Sequence, residues 1–474
     1  SQTLYIFYIL SSNFVDEQAV NAKNFLDNQT MKVKKFTNDQ KMKFENALTN
    51  GYREAQRVRE SFNSYISEKQ QFLGNEVNHY MEGVRETSEI NVTPTNVVSR
   101  LDYPEMVLSV PSLIIKNGYK CETHTIVSQG YILNVHRIPG VSNDGSVSKK
   151  TVLLQHGIFA SSADWILNGP EKGLAYVLAD NGYDVWMPNI RGNKYSREHL
   201  TLKTNTKEYW NFSWHEVAEF DVPAVIDYIL KLKGEDTKIT YIGHSMGTTI
   251  LFAMLTLRPE YNDILNAGFA LAPVAFMTDV QSPLKALAPL ASNVVYMEML
   301  YGAKEFLPKD SILGKLYSSC HIDSINVELC KHVVFYLCGY DEEQFNKTLL
   351  PVFISNLGTG TSWKTATHFA QEITSGGKFQ QFDYGYTKNL EKYGSIYPPE
   401  YDLSKITLNL TFFWAKNDLL SSEKDVEKLY ERLPKSTKKY LVPYKHFNHL
   451  DYLWALDANI LLNEKILELL NNLD

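Results

Sequence analysis

Two hydrophobic periodicities divide the chain. Between Lys32 and Val84, apolar residues recur at helical spacing: Phe44, Leu48, Tyr52, Ala55, Val58, Phe62, Ile66, then Phe72, Val77, Tyr80, Met81 and Val84. Thr49-Asn50-Gly51 and Gly74-Asn75 mark breaks, so residues 15–90 are expected to form a set of amphipathic helices. Such a stripe needs a partner, either the main body or the same segment of a second chain in a homodimer. The first proline is Pro94, and all 17 prolines lie beyond residue 93. That shift places a boundary near residue 100.

Past the boundary, short β-branched runs alternate with helical stretches. The runs are Thr151–Leu154, Tyr183–Pro188, Lys238–Gly243 and Ala267–Leu271, with helices expected over Gly173–Asp180, Val217–Leu232 and Thr248–Leu257. Strand–helix alternation implies an α/β fold, a mostly parallel sheet covered by helices on both faces. It stops near residue 275 and resumes at Leu408–Trp414, followed by Lys439–Pro443. The expected organisation is therefore an N-terminal helical extension (1–100), the first part of the sheet domain (101–275), a mainly helical insertion (276–400) and the rest of the sheet domain (401–474).

Composition narrows the function classes. With 474 residues, 44% hydrophobic, 21% charged and a net charge of -7, the chain is globular and lacks a basic nucleic-acid footprint. No apolar run reaches the roughly 20 residues that span a bilayer. Leu4–Leu10 has the length of a signal-peptide apolar region, without a preceding basic residue. Sequons at Asn28, Asn91, Asn211, Asn346 and Asn409 favour export, to the outside or to the lysosome. The four cysteines, Cys121, Cys320, Cys330 and Cys338, form no CxxC pair. One local bridge, Cys320–Cys330, is the candidate in an oxidising compartment, with four buried thiols as the alternative.

The chemistry centres on Gly243-His244-Ser245-Met246-Gly247, a G-x-S-x-G turn with a β-branched strand before it and a helix after it. A serine hydroxyl becomes a nucleophile only when a base takes its proton. In the order Ser, acid, His, the acid is Asp418, with Asp451 as rival, and the base is His449, with His446 as rival. Asp418 and His449 both lie just past strand ends, where open α/β sheets hold their sites. An oxyanion needs pre-placed N–H donors: Met246 after the nucleophile and Ile158 in the loop after the Leu153-Leu154 strand.

These blocks resemble the acid lipases, the group that contains gastric and lysosomal acid lipases. Leu154–Gly157 with Ser161, Ser162 and Trp165 is similar to the family's oxyanion block, and Asp184–Asn193 to its next strand and loop. Phe212–Glu216 with Asp221–Ala224 is similar to the helix before the nucleophile, and His449–Trp454 to the catalytic-histidine block. The resemblance spans roughly residues 102–470 and implies an α/β-hydrolase fold. It favours His449 over His446 and Asp418 over Asp451, and it implies that residues 276–400 form a cap with a mobile lid. Met246 stands where members usually carry Gln, a change that a backbone donor tolerates. The Cys320–Cys330 spacing is longer than that of the family bridge, and the extension before residue 95 is outside the family pattern.

Other chemistries fail. His215-Glu216-Val217-Ala218-Glu219 lacks the second histidine of a zinc protease, and Gly358-Thr359-Gly360 lacks the third glycine and the context of a dinucleotide site. No metal and no cofactor are expected. The resemblance, with the apolar stretch Pro283–Leu307, points to long-chain neutral esters at a lipid–water interface: acylglycerols, then sterol esters. The alternative is a storage or yolk-type protein on the same fold, against which the intact Ser245, Asp418 and His449 argue.

Overall fold

The structure is a computed structural model that describes residues 108–140, 150–306, 324–347, 349–356 and 360–473. The helices expected over 15–90, their homodimer, Asn28, Asn91, Cys320 and the side chain of Cys330 lie outside the described residues.

In chain order the strands are β1 (Glu122–Ser128), β2 (Tyr131–Ile138), β3 (Lys150–Gln155), β4 (Asp184–Pro188), β5 (Glu198–His199), β6 (Lys238–His244), β7 (Leu265–Leu271), β8 (Glu305–Phe306), β9 (Thr361–Ser362), β10 (Leu410–Trp414) and β11 (Lys438–Leu441). The main sheet runs β1-β2-β4-β3-β6-β7-β10-β11, with β5 on β2. From β4 to β11 all neighbours are parallel, while β1 with β2 and β2 with β4 are antiparallel.

Both faces of the central strands β3, β4, β6, β7 and β10 are buried, as their burial along the chain shows. Leu153, Trp186, Tyr241 and Phe412 enter one core, shared with the helices Val222–Lys233 and Met246–Leu257. Their neighbours Val152, Leu154, Val185, Met187, Ile242 and Phe413 enter the other, shared with Val110–Lys116, Leu174–Asp180 and Glu464–Asn471. Strand side chains point to opposite faces with period two, so near-continuous apolar runs supply two cores at once.

Some boundaries differ from expectation for visible reasons. The pattern over 217–232 resolves into a π-helical turn, Val217–Asp221, leading into Val222–Lys233. The helix after the serine starts at Met246, not Thr248, because the chain reverses entirely at Ser245. β10 begins at Leu410 since Asn262 Oδ1 takes the Thr407 and Leu408 N–H groups at 2.8 and 3.1 Å, away from the ladder. The last ladder bond beside β11 is Val442 N–H to the Trp414 carbonyl at 3.0 Å, and Pro443 has no N–H to continue it. The β1–β2 hairpin is not foreseen at all. Its Gln129-Gly130 turn holds both residues at positive φ, 48° and 86°, the geometry that matches strand twist in a two-residue connection.

Between β7 and β10 lie the helices Ala288–Ala291, Val294–Tyr301, Ser324–Cys338, Leu350–Asn356, Trp363–Thr374 and Tyr386–Tyr393, with the small β8–β9 pair. The insertion is tied to the sheet domain by charge as well as by packing. Lys364 donates to the half-buried Glu216 carboxylate at 3.1 Å, His368 stacks on Trp214 at 3.9 Å, and Arg197 bonds Glu305 at 3.0 Å.

Candidate active site

Ser245 stands between the end of β6 and the helix Met246–Leu257 with φ 54° and ψ −119°, a conformation that L-residues rarely adopt. Its neighbours hold it there. Its N–H donates to the Leu271 carbonyl at 3.0 Å, and its carbonyl accepts the Thr248 N–H at 2.8 Å and the Thr248 hydroxyl at 2.6 Å. The flanking glycines are required by close approach. A Cβ on Gly243 would lie 2.7 Å from the Gly247 carbonyl, and one on Gly247 would lie 2.3 Å from the Gln155 carbonyl oxygen.

The hydroxyl meets a base. Ser245 Oγ is 2.8 Å from His449 Nε2, and His449 Nδ1 lies 2.9 Å from both carboxylate oxygens of Asp418. Asp418 is buried, and its Oδ1 also accepts the N–H groups of Leu420 and Ser421 at 2.9 and 2.8 Å, which fixes the carboxylate plane. The structure thus brings Ser245, His449 and Asp418 together, and it does not bring in their rivals. The His446 ring lies against Tyr444, 5.9 Å between centroids. Asp451 accepts the Asn448 N–H at 2.6 Å as the first residue of the helix Asp451–Trp454.

The chain carries the matching sequence relationships. A family model described as the alpha/beta hydrolase fold matches residues 150–453, and one described as a partial alpha/beta-hydrolase lipase region matches residues 110–169. Lipase 1 of Drosophila melanogaster is 38% identical over 382 residues, covering 80% of this chain and 83% of its own. Gastric triacylglycerol lipase is 37% identical in Rattus norvegicus and 36% in Homo sapiens, covering 75% of this chain and 89% of theirs in each case. The chain belongs to the acid lipase family. It is a carboxylic ester hydrolase of the α/β-hydrolase fold.

In this acid lipase the loop after β3 passes directly beside Ser245: a Cβ on Gly157 would stand 3.2 Å from Ser245 Cβ. Ile158 follows it, half-buried, and Met246 opens the helix on the other side of Ser245. Two buried histidines that sequence reasoning missed stiffen these turns. His156 Nδ1 donates to the Gly157 carbonyl at 2.8 Å while its Nε2 accepts the Ile190 N–H at 3.3 Å, and burial pushes its pKa down to about 4. His244 Nε2 donates to the His449 carbonyl at 2.8 Å, and burial lowers its pKa to about 3, with His449 adding to the shift. Both rings are therefore neutral, with the protonated nitrogen set by a carbonyl acceptor. The only sequence signal for either was its place inside a motif.

Cys121 and Cys338 carry free thiols, Cys338 buried and its pKa raised chiefly by that burial. Of the described sequons, Asn211 and Asn409 are exposed and Asn346 is half-buried. His215, from the failed zinc pattern, bonds the Tyr401 hydroxyl at 2.6 Å. Among the described residues no cluster of His, Cys, Asp and Glu is arranged to hold a metal ion. No described helix is long and apolar enough to cross a membrane.

Proposed function

We propose that the chain hydrolyses the carboxylic esters of neutral lipids, triacylglycerols or sterol esters, through an acyl-enzyme on Ser245. The observation that carries this reading is the unbroken run from Ser245 Oγ to His449 Nε2 at 2.8 Å and from His449 Nδ1 to Asp418 at 2.9 Å. His449 takes the Ser245 proton as Oγ attacks the ester carbonyl, and Asp418 holds the imidazole in the required tautomer and stabilises its cation. The backbone N–H groups of Met246 and Ile158 are the donors assigned to the oxyanion. His449 then returns the proton to the leaving alkoxide, and water repeats the sequence to release the acid. A storage role would need none of this alignment.

The insertion supports the neutral-lipid substrate class. Leu284, Leu287 and Val295 expose 40%, 51% and 67% of their surface there, which suits contact with a lipid–water interface. The exposed sequons at Asn211 and Asn409 support export, to the outside or to the lysosome. The test pairs a serine-directed phosphonate with a short soluble ester and with emulsified trioleoylglycerol and cholesteryl oleate. Ser245 carries the label, Ser245→Ala and His449→Ala lose several powers of ten in rate, and His446→Ala is mild. Near-normal turnover by Ser245→Ala would sink the reading.

A further inference from the structure

Three consecutive carbonyls outside the catalytic loops bind both of them. The Cys338 carbonyl accepts the N–H of Leu419 and the N–H of His449, each at 3.3 Å. The Gly339 carbonyl accepts Asn448 Nδ2 at 3.1 Å. The Tyr340 carbonyl accepts Asn417 Nδ2 at 2.9 Å, and the same amide donates to the His446 carbonyl at 2.6 Å. Leu419 and Asn417 bracket Asp418, and Asn448 precedes His449, so each strap bond falls on the base or on an immediate neighbour of the acid or the base.

The strap is pressed into the seam between the two loops. Gly339 is buried at φ +118°, and a Cβ there would lie 2.1 Å from the Asn417 carbonyl oxygen and 3.0 Å from Asn448 Cβ. Its N–H closes the helix Ser324–Cys338 by donating to the Phe335 carbonyl at 2.9 Å. Asp418 and His449 come from loops after different strands, β10 and β11, and these bonds give them a common third body.

We propose that Cys338–Gly339–Tyr340 sets the distance between Asp418 and His449, with Asn417 and Asn448 as positioning residues for the base. The proposal rests on the assignment of Ser245, Asp418 and His449 to the reaction. A catalytic geometry loosened by about 1 Å costs on the order of 100-fold in rate. The strap acts through Asp418 and His449, so that loss belongs to kcat and not to KM.

The test uses the full-length chain with a soluble short-chain ester. Asn417→Leu keeps the side-chain size and removes both donated bonds; Asn417→Gln keeps the amide on a longer arm. We expect kcat to fall by about 10- to 100-fold in Asn417→Leu with KM unchanged, an intermediate kcat in Asn417→Gln, and an equal fall in the rate of Ser245 phosphonylation. The downfield proton resonance of the His449–Asp418 hydrogen bond shifts or broadens in Asn417→Leu. Gly376→Ala, at a left-handed position with nothing within 4 Å, controls for mere loss of stability. Should Asn417→Leu fail to fold, Asn417→Gln and its resonance decide. Wild-type kcat and an unmoved resonance in the folded variant would overturn the strap while leaving the triad standing. Activity retained by Ser245→Ala would instead overturn the reading beneath it.

Discussion

Gly247→Ala probes whether the Ser245 turn and the loop after β3, which carry the proposed oxyanion donors, are held in register by backbone contact. The new Cβ would sit 2.3 Å from the Gln155 carbonyl oxygen, 3.0 Å from its carbon and 3.2 Å from the His156 carbonyl oxygen. These are backbone atoms at the end of β3, so no side chain can swing away. Ordinary contact begins near 3.5 Å, which means the helix start and the β3 end must part by about 1 Å. Overpacking of this kind costs about 1–3 kcal/mol of stability. The activity cost is larger, because the parting separates the segments that carry Met246 and Ile158, and a misplaced oxyanion donor loses on the order of 100-fold in kcat. Urea unfolding supplies the first quantity, and kcat and KM on a soluble ester supply the second. Gly376→Ala is the reference: it bears the left-handed penalty of roughly 1–2 kcal/mol without touching the site, and its kcat stays at the wild-type value. If Gly247→Ala turned over within about threefold of wild type, under 1 kcal/mol in barrier, the proposed register between the two segments would be refuted.

Asp418→Asn keeps an acceptor for the Leu420 and Ser421 N–H groups but turns a donor toward His449, so the fold survives and kcat drops by about 10⁴. Asp451 has its pKa raised well above the usual carboxylate range, chiefly by burial, with the Asp341 and Asp418 carboxylates adding to it. A raised carboxyl keeps its proton in the fold, so its contribution is full below the unfolded value of 3.8 and is lost as pH rises through the folded value. Asp451→Asn still accepts the Asn448 N–H and should flatten the alkaline side of a stability–pH curve measured by urea unfolding; an unchanged slope would count against it. The opposite sign holds for His136 and His156, lowered to about 4, and for His244 and His368, lowered to about 3, all by burial. Their folded forms resist protonation, so stability is lost as pH falls from 6.5 toward those values, and His368→Gln should lessen that acid-side loss in a thermal scan.

Legibility in the sequence followed how local each signal is. Thr151–Leu154 and Tyr183–Pro188 read as strands because both their faces are buried and every position is apolar or packed. Ser245 was legible because a tight turn demands glycines at fixed offsets. Asp418 and His449 followed from position after strands, and the family resemblance separated them from Asp451 and His446. The β1–β2 hairpin escaped because β1 is largely exposed, so its alternation carries few apolar letters. The strap escaped for a different reason: its bonds come from the carbonyls of Cys338, Gly339 and Tyr340, and every residue has a carbonyl. Of the groups in these bonds, only the Asn417 and Asn448 amides belong to side chains.

Ser245 holds φ 54° and ψ −119° as a residue with a side chain. Such a conformation costs on the order of 1–3 kcal/mol for an L-residue and almost nothing for glycine. Ser245, the proposed nucleophile, is therefore a position at which losing the side chain relaxes the backbone. Ser245→Gly should melt higher than both Ser245→Ala and wild type, with loss of turnover. Stability and activity are in direct conflict at this one residue: a selection for heat tolerance alone would drift toward a lipase that folds better and does nothing.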